Sequence, residues 1–558
     1  MKAYPHFPKR KIVDLNTLWD FKFIEADLKD IKLSEICYED RIPVPSAFDA
    51  LPAYAGKRGL GIYRYQTEVS SGKKSVLKIG GAGMICDVYV DGKHLAHHIG
   101  TYTPFEIIIP KSKKSAREIV IVTDNRYNFE KCPLQENFFD FYNYGGIIRQ
   151  VWLEELPESP ITQAYVLIDD YEAGEIRIRV KSDCDLDTLS YSIDGDEFLP
   201  AEFNEDGDIV ATVPDPTLWS HEAPNLHILT LDSGSDAIEV RFGLRKVATE
   251  NGQIQLNDEP VKLLGYCRHE VHPSYGPALP DMQLVYDLQL LKEMGCNFVR
   301  GSHYQQDPRF LDLCDEQGFL VFSESMGWGQ QERHFTDENF IQAQLTQTEA
   351  MIRSDFNHPS IIMWGFLNEG DTTGEFARDC YTRLAEMIRF LDPSRPVTYA
   401  SNKHADDLML ELCDIISFNI YPGWYSGDRE SENVIGEVLP SIEKHLADMK
   451  KRGLSDKPFI ISEIGAGAIY GWHDPLNGVW TEEYQSELLQ LVCRKVVSDD
   501  RIAGVALWQF CDGRTYQGAG ALARPRAFNN KGTLDEYRRP KAAFKEVKKI
   551  FNDYKESK

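Results

Sequence analysis

Two apolar runs in this chain end on a carboxylate. Ile361-Ile362-Met363-Trp364-Gly365-Phe366-Leu367-Asn368-Glu369 reads as a buried strand that stops on an amide and an acid. Phe459-Ile460-Ile461-Ser462-Glu463 repeats the shape. Two carboxyl groups facing one another across a cavity can split an acetal. One protonates the leaving oxygen, and the other attacks or assists at the anomeric carbon. A gap of about 5–5.5 Å gives retention and one of about 6.5–9.5 Å inversion, and chain spacing does not choose between them. The acid must hold its proton, so Glu369 calls for a raised pKa, from apolar walls such as Trp364 or from Glu463 nearby. Glu463, as the anion, calls for hydrogen-bond donors. A lone Glu after a strand often caps a helix or faces water; two, each closing an apolar strand, fit that reading less well.

Other residues stand at run ends. His303, within Arg300-Gly-Ser-His-Tyr304, ends the second apolar run of the C-terminal half, His269 and Glu270 the first, and Glu324 the third. Trp508 ends the last and is suited to lie under a sugar ring, whose C–H face packs on indole. There is no HExxH, no Cys/His cluster with metal spacing and no GxSxG elbow. Gly465-Ala-Gly467 lacks the spacing of a dinucleotide loop.

The elements that must position these residues follow from periodicity. From 261 onward, short apolar runs at 261–265, 298–301, 320–323, 361–367, 397–400, 415–420, 459–462 and 503–508 alternate with amphipathic stretches. The clearest helical stretches are 283–294, 340–356, 376–391, 434–451 and 482–497, and 540–554 closes the chain with Pro at its start. Eight βα units predict a (β/α)8 TIM barrel over 249–558, with a doubly wound sheet as the alternative; both put a site at the strand C-terminal ends. Before it, short Val-, Ile- and Tyr-rich runs at 61–69, 75–79, 85–90 and 119–122 predict a β jelly roll over 1–156. Runs at 164–168, 176–180, 189–193, 226–231 and 238–242 predict an immunoglobulin-like β-sandwich over 157–248.

Composition bounds the rest. With 558 residues, 42% of them hydrophobic, the chain is globular and too long for one core. Its formal charge of −26 argues against nucleic acid and anionic membranes as partners, though a local basic pocket can still take a small anion. Eleven scattered Cys without a CxxC pair read as reduced core thiols of a cytoplasmic protein. The N-terminus shows no apolar signal segment and no window is apolar enough to span a bilayer.

At this point the sequence resembles a family. Asn-His-Pro-Ser-Ile-Ile-Met-Trp at 357–364, followed by Asn368-Glu369, is similar to the acid/base signature of glycoside hydrolase family 2. Ile461-Ser462-Glu463 with Gly465 resembles its nucleophile strand. Gly100-Thr-Tyr-Thr-Pro-Phe105 and Gly145-Gly-Ile-Ile-Arg149 extend the likeness into the first domain, and it runs from Leu18-Trp19 to Lys541. The resemblance implies the same three domains, a cofactor-free retaining exo-β-glycosidase and a homo-oligomer. It makes Glu369 the acid/base and Glu463 the nucleophile, with Tyr421 the donor to Glu463, Asn368 on the sugar 2-hydroxyl and His303 near the sugar.

Within the family the likeness is greatest to members acting on β-glucuronides. Phe139-Asp140-Phe141-Tyr142-Asn143-Tyr144, Asn419-Ile-Tyr-Pro-Gly-Trp-Tyr425, Val479-Trp480-Thr-Glu-Glu-Tyr-Gln485 and Asn529-Asn530-Lys531-Gly532 carry it. The substrate implied is a small uronic acid conjugate. Asn529 and Lys531 would hold its carboxylate, with a hydroxyl from Tyr425, and Asp140 would order Lys531 or bind sugar hydroxyls. Arg514, Arg524 and Arg526 make the neighbouring loop locally basic. The 512–528 loop and Ile464-Gly-Ala-Gly-Ala-Ile-Tyr470 depart from the family pattern, which keeps a β-galacturonide or a β-galactoside open. A non-catalytic carbohydrate-binding protein is the rival of a different class.

Overall fold

The structure, a computed structural model, describes residues 4–135, 139–183, 188–425, 434–516 and 524–558. The first region is two antiparallel sheets face to face, the predicted jelly roll. The six-stranded sheet is built around Leu18–Ile24, Leu60–Glu68, Ala116–Asp124 and Ile85–Val90. The four-stranded sheet runs Ile12–Asp14, Val151–Leu156, Lys74–Ile79, Phe105–Ile109. Successive side chains of a strand point to opposite faces. Ile119 and Ile121, Phe21 and Trp19, and Leu77 and Ile79 therefore meet in one core between the sheets. The second region is a smaller sandwich. Ile161–Asp170, Glu175–Ser182 and Ile209–Thr212 form one sheet, and Ser190–Ile193, His227–Asp232 and Ala237–Phe242 with a short edge pairing form the other.

A three-stranded sheet, Val247–Glu250, Gln253–Leu256 and Glu259–Val261, was not expected from the apolar runs. Its turns carry Asn251 and Gly252, then Asn257 and Asp258, all at positive φ, as tight two-residue hairpins require. Ile254 and Leu256, with Trp219, pack against Leu263, Phe298 and Leu320, each the first residue of a barrel strand. The sheet thus plugs the N-terminal end of the barrel and leaves the other end open.

The barrel closes as eight parallel strands in sequence order, and the last pairs with the first, which excludes a doubly wound sheet. They are β1 (Leu263–Arg268), β2 (Phe298–Gly301), β3 (Leu320–Glu324), β4 (Ile361–Asn368), β5 (Val397–Ser401), β6 (Ile416–Asn419), β7 (Phe459–Ile464) and β8 (Gly504–Leu507). Apart from the single turn Glu332–Phe335, the α-helices among the described residues are α1 (Asp281–Glu293), α2 (Pro308–Gln317), α3 (Glu338–Asp355), α4 (Arg378–Leu391), α5 (Val438–Lys451), α6 (Glu482–Ser498) and α7 (Ala542–Glu556). Helix α2 is capped by Asp307, has Pro308 at its first position and ends on Gly318 in the left-handed region; these are start and stop signals stronger than its short apolar pattern. The fifth unit departs from eightfold regularity: between β5 and β6 there are only 3-10 turns, His404–Asp406 and Leu410–Leu412. Pro540 stands just before Lys541, the N-cap of α7, and does not open the helix.

Candidate active site

Glu463 lies in β7, and Glu369 follows β4 at once, with φ +55°. The parallel register breaks beside both, between Gly365 and Asn368 on β4 and between Ile461 and Ile464 on β7. Such irregularities re-aim side chains at strand ends. Here both carboxylates line one cavity of about 570 Å³ at the open mouth of the barrel. Asp140, His303, Tyr421, Tyr425 and Trp508 line it as well.

Each carboxylate has its own set of donors. Arg300 Nη1 donates to Glu463 Oε1 at 2.8 Å, and the Tyr421 hydroxyl donates to Oε2 at 2.5 Å. Glu369 Oε1 accepts from Asn419 Nδ2 at 2.9 Å. Burial first, and then the charge of Glu463, push Glu369 up to about 8. It therefore enters a neutral solution protonated, as a leaving-group acid must. The apolar wall is not Trp364. That ring faces away from the cavity, among the residues packed between strands and helices, and its Nε1 donates to Asp392 at 2.8 Å. Strand alternation sends it outward.

Arg300 is the hub. Beside Glu463 it bonds Glu324 and Asn368 Oδ1, each at 2.8 Å. Asn368 also accepts from Asn419 at 2.9 Å, while its own Nδ2 is buried with no partner among the described residues. A buried donor left unpaired is costly. His303 stacks on Trp508 with centroids 5.1 Å apart, meets Glu324 at 3.1 Å, and is pushed down to about 3 by burial, so its ring is neutral. Glu324, behind Arg300, is pushed up to about 7 by burial.

Lys531 is 4% exposed. Its Nζ donates to the Tyr425 hydroxyl at 2.7 Å and sits 5.6, 5.3 and 4.7 Å from the rings of Tyr421, Trp424 and Tyr425. Among the described residues no carboxylate pairs with it.

Several expectations need correction. Asp140 does not order Lys531; it pairs with Arg524 at 2.7 Å, because Arg524, from the loop after β8, reaches the same cavity. Lys531 meets the main cavity only through its partner Tyr425, and Asn529 does not line that cavity. Asn529 lines a smaller one with Asp140, Tyr142 and Arg514, and its Oδ1 takes the Lys531 backbone N–H at 3.4 Å. Glu270 is structural: it pairs with Arg149 at 3.0 Å and accepts the Asp307 N–H at the start of α2. His269 meets the Tyr304 hydroxyl at 3.2 Å and packs edge-on against His303 and Trp508, lining the smaller cavity and not the main one. Arg526 turns to Glu536 at 2.7 Å. Part of the 512–528 loop, 517–523, lies outside the described residues.

Sequence reasoning missed Arg300, Asn419 and the part played by Arg524. A signal existed for Arg300: a full charge inside an apolar run, two residues before a strand-end Ser-His, requires buried acids to meet it. Asn419 sat in plain view beside Tyr421, but nothing local tells which face of the strand it takes. The described residues also hold a close Asp312–Asp315–His358 cluster. Its groups are satisfied: Arg241 pairs with Asp312 at 2.7 Å and His358 with Asp315 at 2.6 Å.

A plugged barrel with two carboxylates at its open mouth, one protonated and one clasped by donors, defines a glycoside-cleaving enzyme. The family description "Glycosyl hydrolases family 2, TIM barrel domain" matches residues 247–555. A β-glucuronidase of Streptococcus agalactiae is 29% identical, over 98% of this chain and 97% of that one. Among solved structures, a β-galacturonidase from Eisenbergiella tayi bound to galacturonate superposes with TM-score 0.87 at 33% identity, over 99% of this chain and 98% of that one. A β-glucuronidase from an uncultured Clostridium superposes with TM-score 0.88 at 25% identity, over 99% of each chain. The chain belongs to glycosyl hydrolase family 2.

Proposed function

We propose that the chain is a retaining exo-β-glycosidase that releases β-linked hexuronic acid, D-glucuronic acid in the first instance, through a covalent glycosyl-enzyme intermediate. The observation that carries the sugar class is Lys531. Among the described residues this buried ammonium meets a phenol and three aromatic rings and no carboxylate, so it has lost water without gaining an anion there. A uronate carboxylate at this spot, reached by Lys531 and Tyr425, supplies that anion. Arg524, in the cavity wall, adds a second positive charge partly offset by Asp140.

The chemistry then runs in two steps. Glu369 delivers its proton to the glycosidic oxygen while Glu463 attacks the anomeric carbon. The charge on Glu463 drops as the bond forms, and Arg300 and Tyr421 keep its oxygens oriented throughout. Glu369, now ionised, takes a proton from water, which displaces Glu463 and restores the starting state. Asn368 Nδ2, otherwise unpaired, donates to the 2-hydroxyl, and Trp508 underlies the ring. A second reading, a β-galacturonide, is supported by the higher identity to the galacturonidase, 33% against 25%. The two sugars differ only at one ring hydroxyl, so the carboxylate argument serves both.

A cytoplasmic setting and a homo-oligomer belong to the same proposal. Ten cysteines among the described residues are free thiols, nine of them buried, which suits a reducing compartment. Among the described residues no helix is long and apolar enough to cross a membrane.

The test is a panel of nitrophenyl β-glucuronide, β-galacturonide and β-galactoside with the purified chain. Turnover of a uronide at least tenfold above the galactoside is expected. Preference for the galactoside removes the uronate reading, and saturable binding without any turnover returns the protein to the binder class.

A further inference from the structure

Away from the catalytic mouth, a cavity of about 360 Å³ lies between the second sandwich and the barrel. Residues within 166–169 and 242–247 form one wall; residues within 356–359 and 392–395, just ahead of β4 and β5, form the other. Two arginines meet there. Arg245 is 6% exposed, and its Nε and Nη2 donate to the carbonyls of Pro359 at 2.6 Å and Ile361 at 2.7 Å. Arg395 donates to the same Ile361 carbonyl from Nε at 2.7 Å, and its other nitrogens take Asp392 and the carbonyls of Phe356 and His358.

The charges do not balance. Asp392 is committed to Arg395, and it also accepts from Trp364 Nε1 and from the N–H and hydroxyl of Ser394. Arg177 and Lys246 line the cavity too, and each has a carboxylate of its own, Asp169 and Asp258. Among the described residues no carboxylate bonds Arg245. Carbonyls orient a guanidinium without cancelling its charge, and a buried charge that lacks a counter-charge is costly. Burial, and then the charge of Arg395, push Arg245 well below the usual arginine range.

The spare nitrogen opens on the cavity. Arg245 Nη1 bonds nothing among the described residues and, unlike the enclosed Nη2 of Arg58, keeps accessible surface. Phe242, Phe356, Pro359 and Pro393 line the space around it, and apolar walls strengthen a charge interaction. We infer that this cavity is a second binding site, for a small oxyanion, carboxylate or phosphate, with Arg245 as the group that holds it. Arg245 follows the last strand of the sandwich, Ala237–Phe242, and grips the first residue of β4, whose far end leads to Glu369. The anion therefore joins sandwich to barrel, and it acts on stability while leaving the acids alone.

The test follows thermal unfolding of the full chain at fixed ionic strength in chloride, in inorganic phosphate and in malonate. At about 10 mM, phosphate, malonate or both should raise the melting temperature by about 2 °C or more over chloride, and which of them does so names the oxyanion. The rise should persist in Lys531→Ala, whose cation belongs to the catalytic mouth, and vanish in Arg245→Gln. A rise lost in Lys531→Ala and kept in Arg245→Gln puts the anion beside the acids and overturns the site, as does no rise with either anion. If Arg245→Gln does not fold, Lys246→Glu decides, because it reverses an exposed charge on the cavity wall. About half of the rise or more should then be lost, and a full rise overturns the site.

Discussion

Arg300 reaches from the end of β2 across the barrel interior and donates to Glu463 at 2.8 Å. The same guanidinium holds Glu324 from β3 and Asn368 from β4. One cation thus ties four strands at the mouth, and it does so without being exposed at all. Arg suits this place because its planar fork serves several acceptors at once.

Removing that cation while keeping the acids should be severe. Arg300→Met leaves Glu463 and Glu324 facing each other in a buried site, and breaking a buried pair from one side costs about 3–5 kcal/mol. Denaturant unfolding is expected to show a loss of that order. A change under about 1 kcal/mol would mean that the two acids find other partners.

The role of Glu463 is tested by shortening it. Glu463→Ala should lower kcat on the order of 10⁴-fold while far-UV circular dichroism and melting stay close to those of the parent. Near-normal turnover by clean protein removes the nucleophile assignment.

Tyr421→Phe deletes one donor to Glu463 and little else. A fall in kcat of about 10²-fold with a small change in KM is expected, as for other donors aimed at developing or departing charge. A change confined to KM would make Tyr421 a ground-state contact only.

The pH behaviour follows from Glu369. Its carboxyl ordinarily titrates near 4.5 and stands near 8 in the folded chain. Between those values the native state binds more protons than the unfolded one, so stability falls as pH rises through the interval. Glu369→Gln abolishes that slope: its melting temperature should match the parent at pH 4.5 and exceed it at pH 8.5. In the parent, kcat/KM on a uronide should decline above about pH 8 as the acid ionises. A profile that falls instead above about pH 5 would show the acid to be elsewhere or unshifted.

Lys531→Ala should separate sugars. A hydrogen bond to a charged group contributes about 1.5–3 kcal/mol, so kcat/KM on the uronide should fall about 10–100-fold and on the galactoside only a few-fold. Equal losses on both end the carboxylate clamp.

Much of this was legible in the chain. The strand ends at Glu369 and Glu463 could be read because a buried parallel strand is an unbroken apolar run, and a carboxylate at its end is conspicuous. The eight strands agree with the runs to within a few residues, for example Phe298–Gly301 and Ile361–Asn368. The plug of the barrel was missed because its strands are short and half-polar; Asn251-Gly252 alone announced it.

What the sequence determined by itself was the order of elements and the pair of acids, since local periodicity and residue type carry both. Which side chains those acids meet was decided only by closure of the barrel. Arg300 and Glu463 are 163 residues apart, and Asp140 and Arg524 are 384. Hydrogen bonds and desolvation act over a few ångströms of space, and no local pattern of residues encodes a partner so far along the chain.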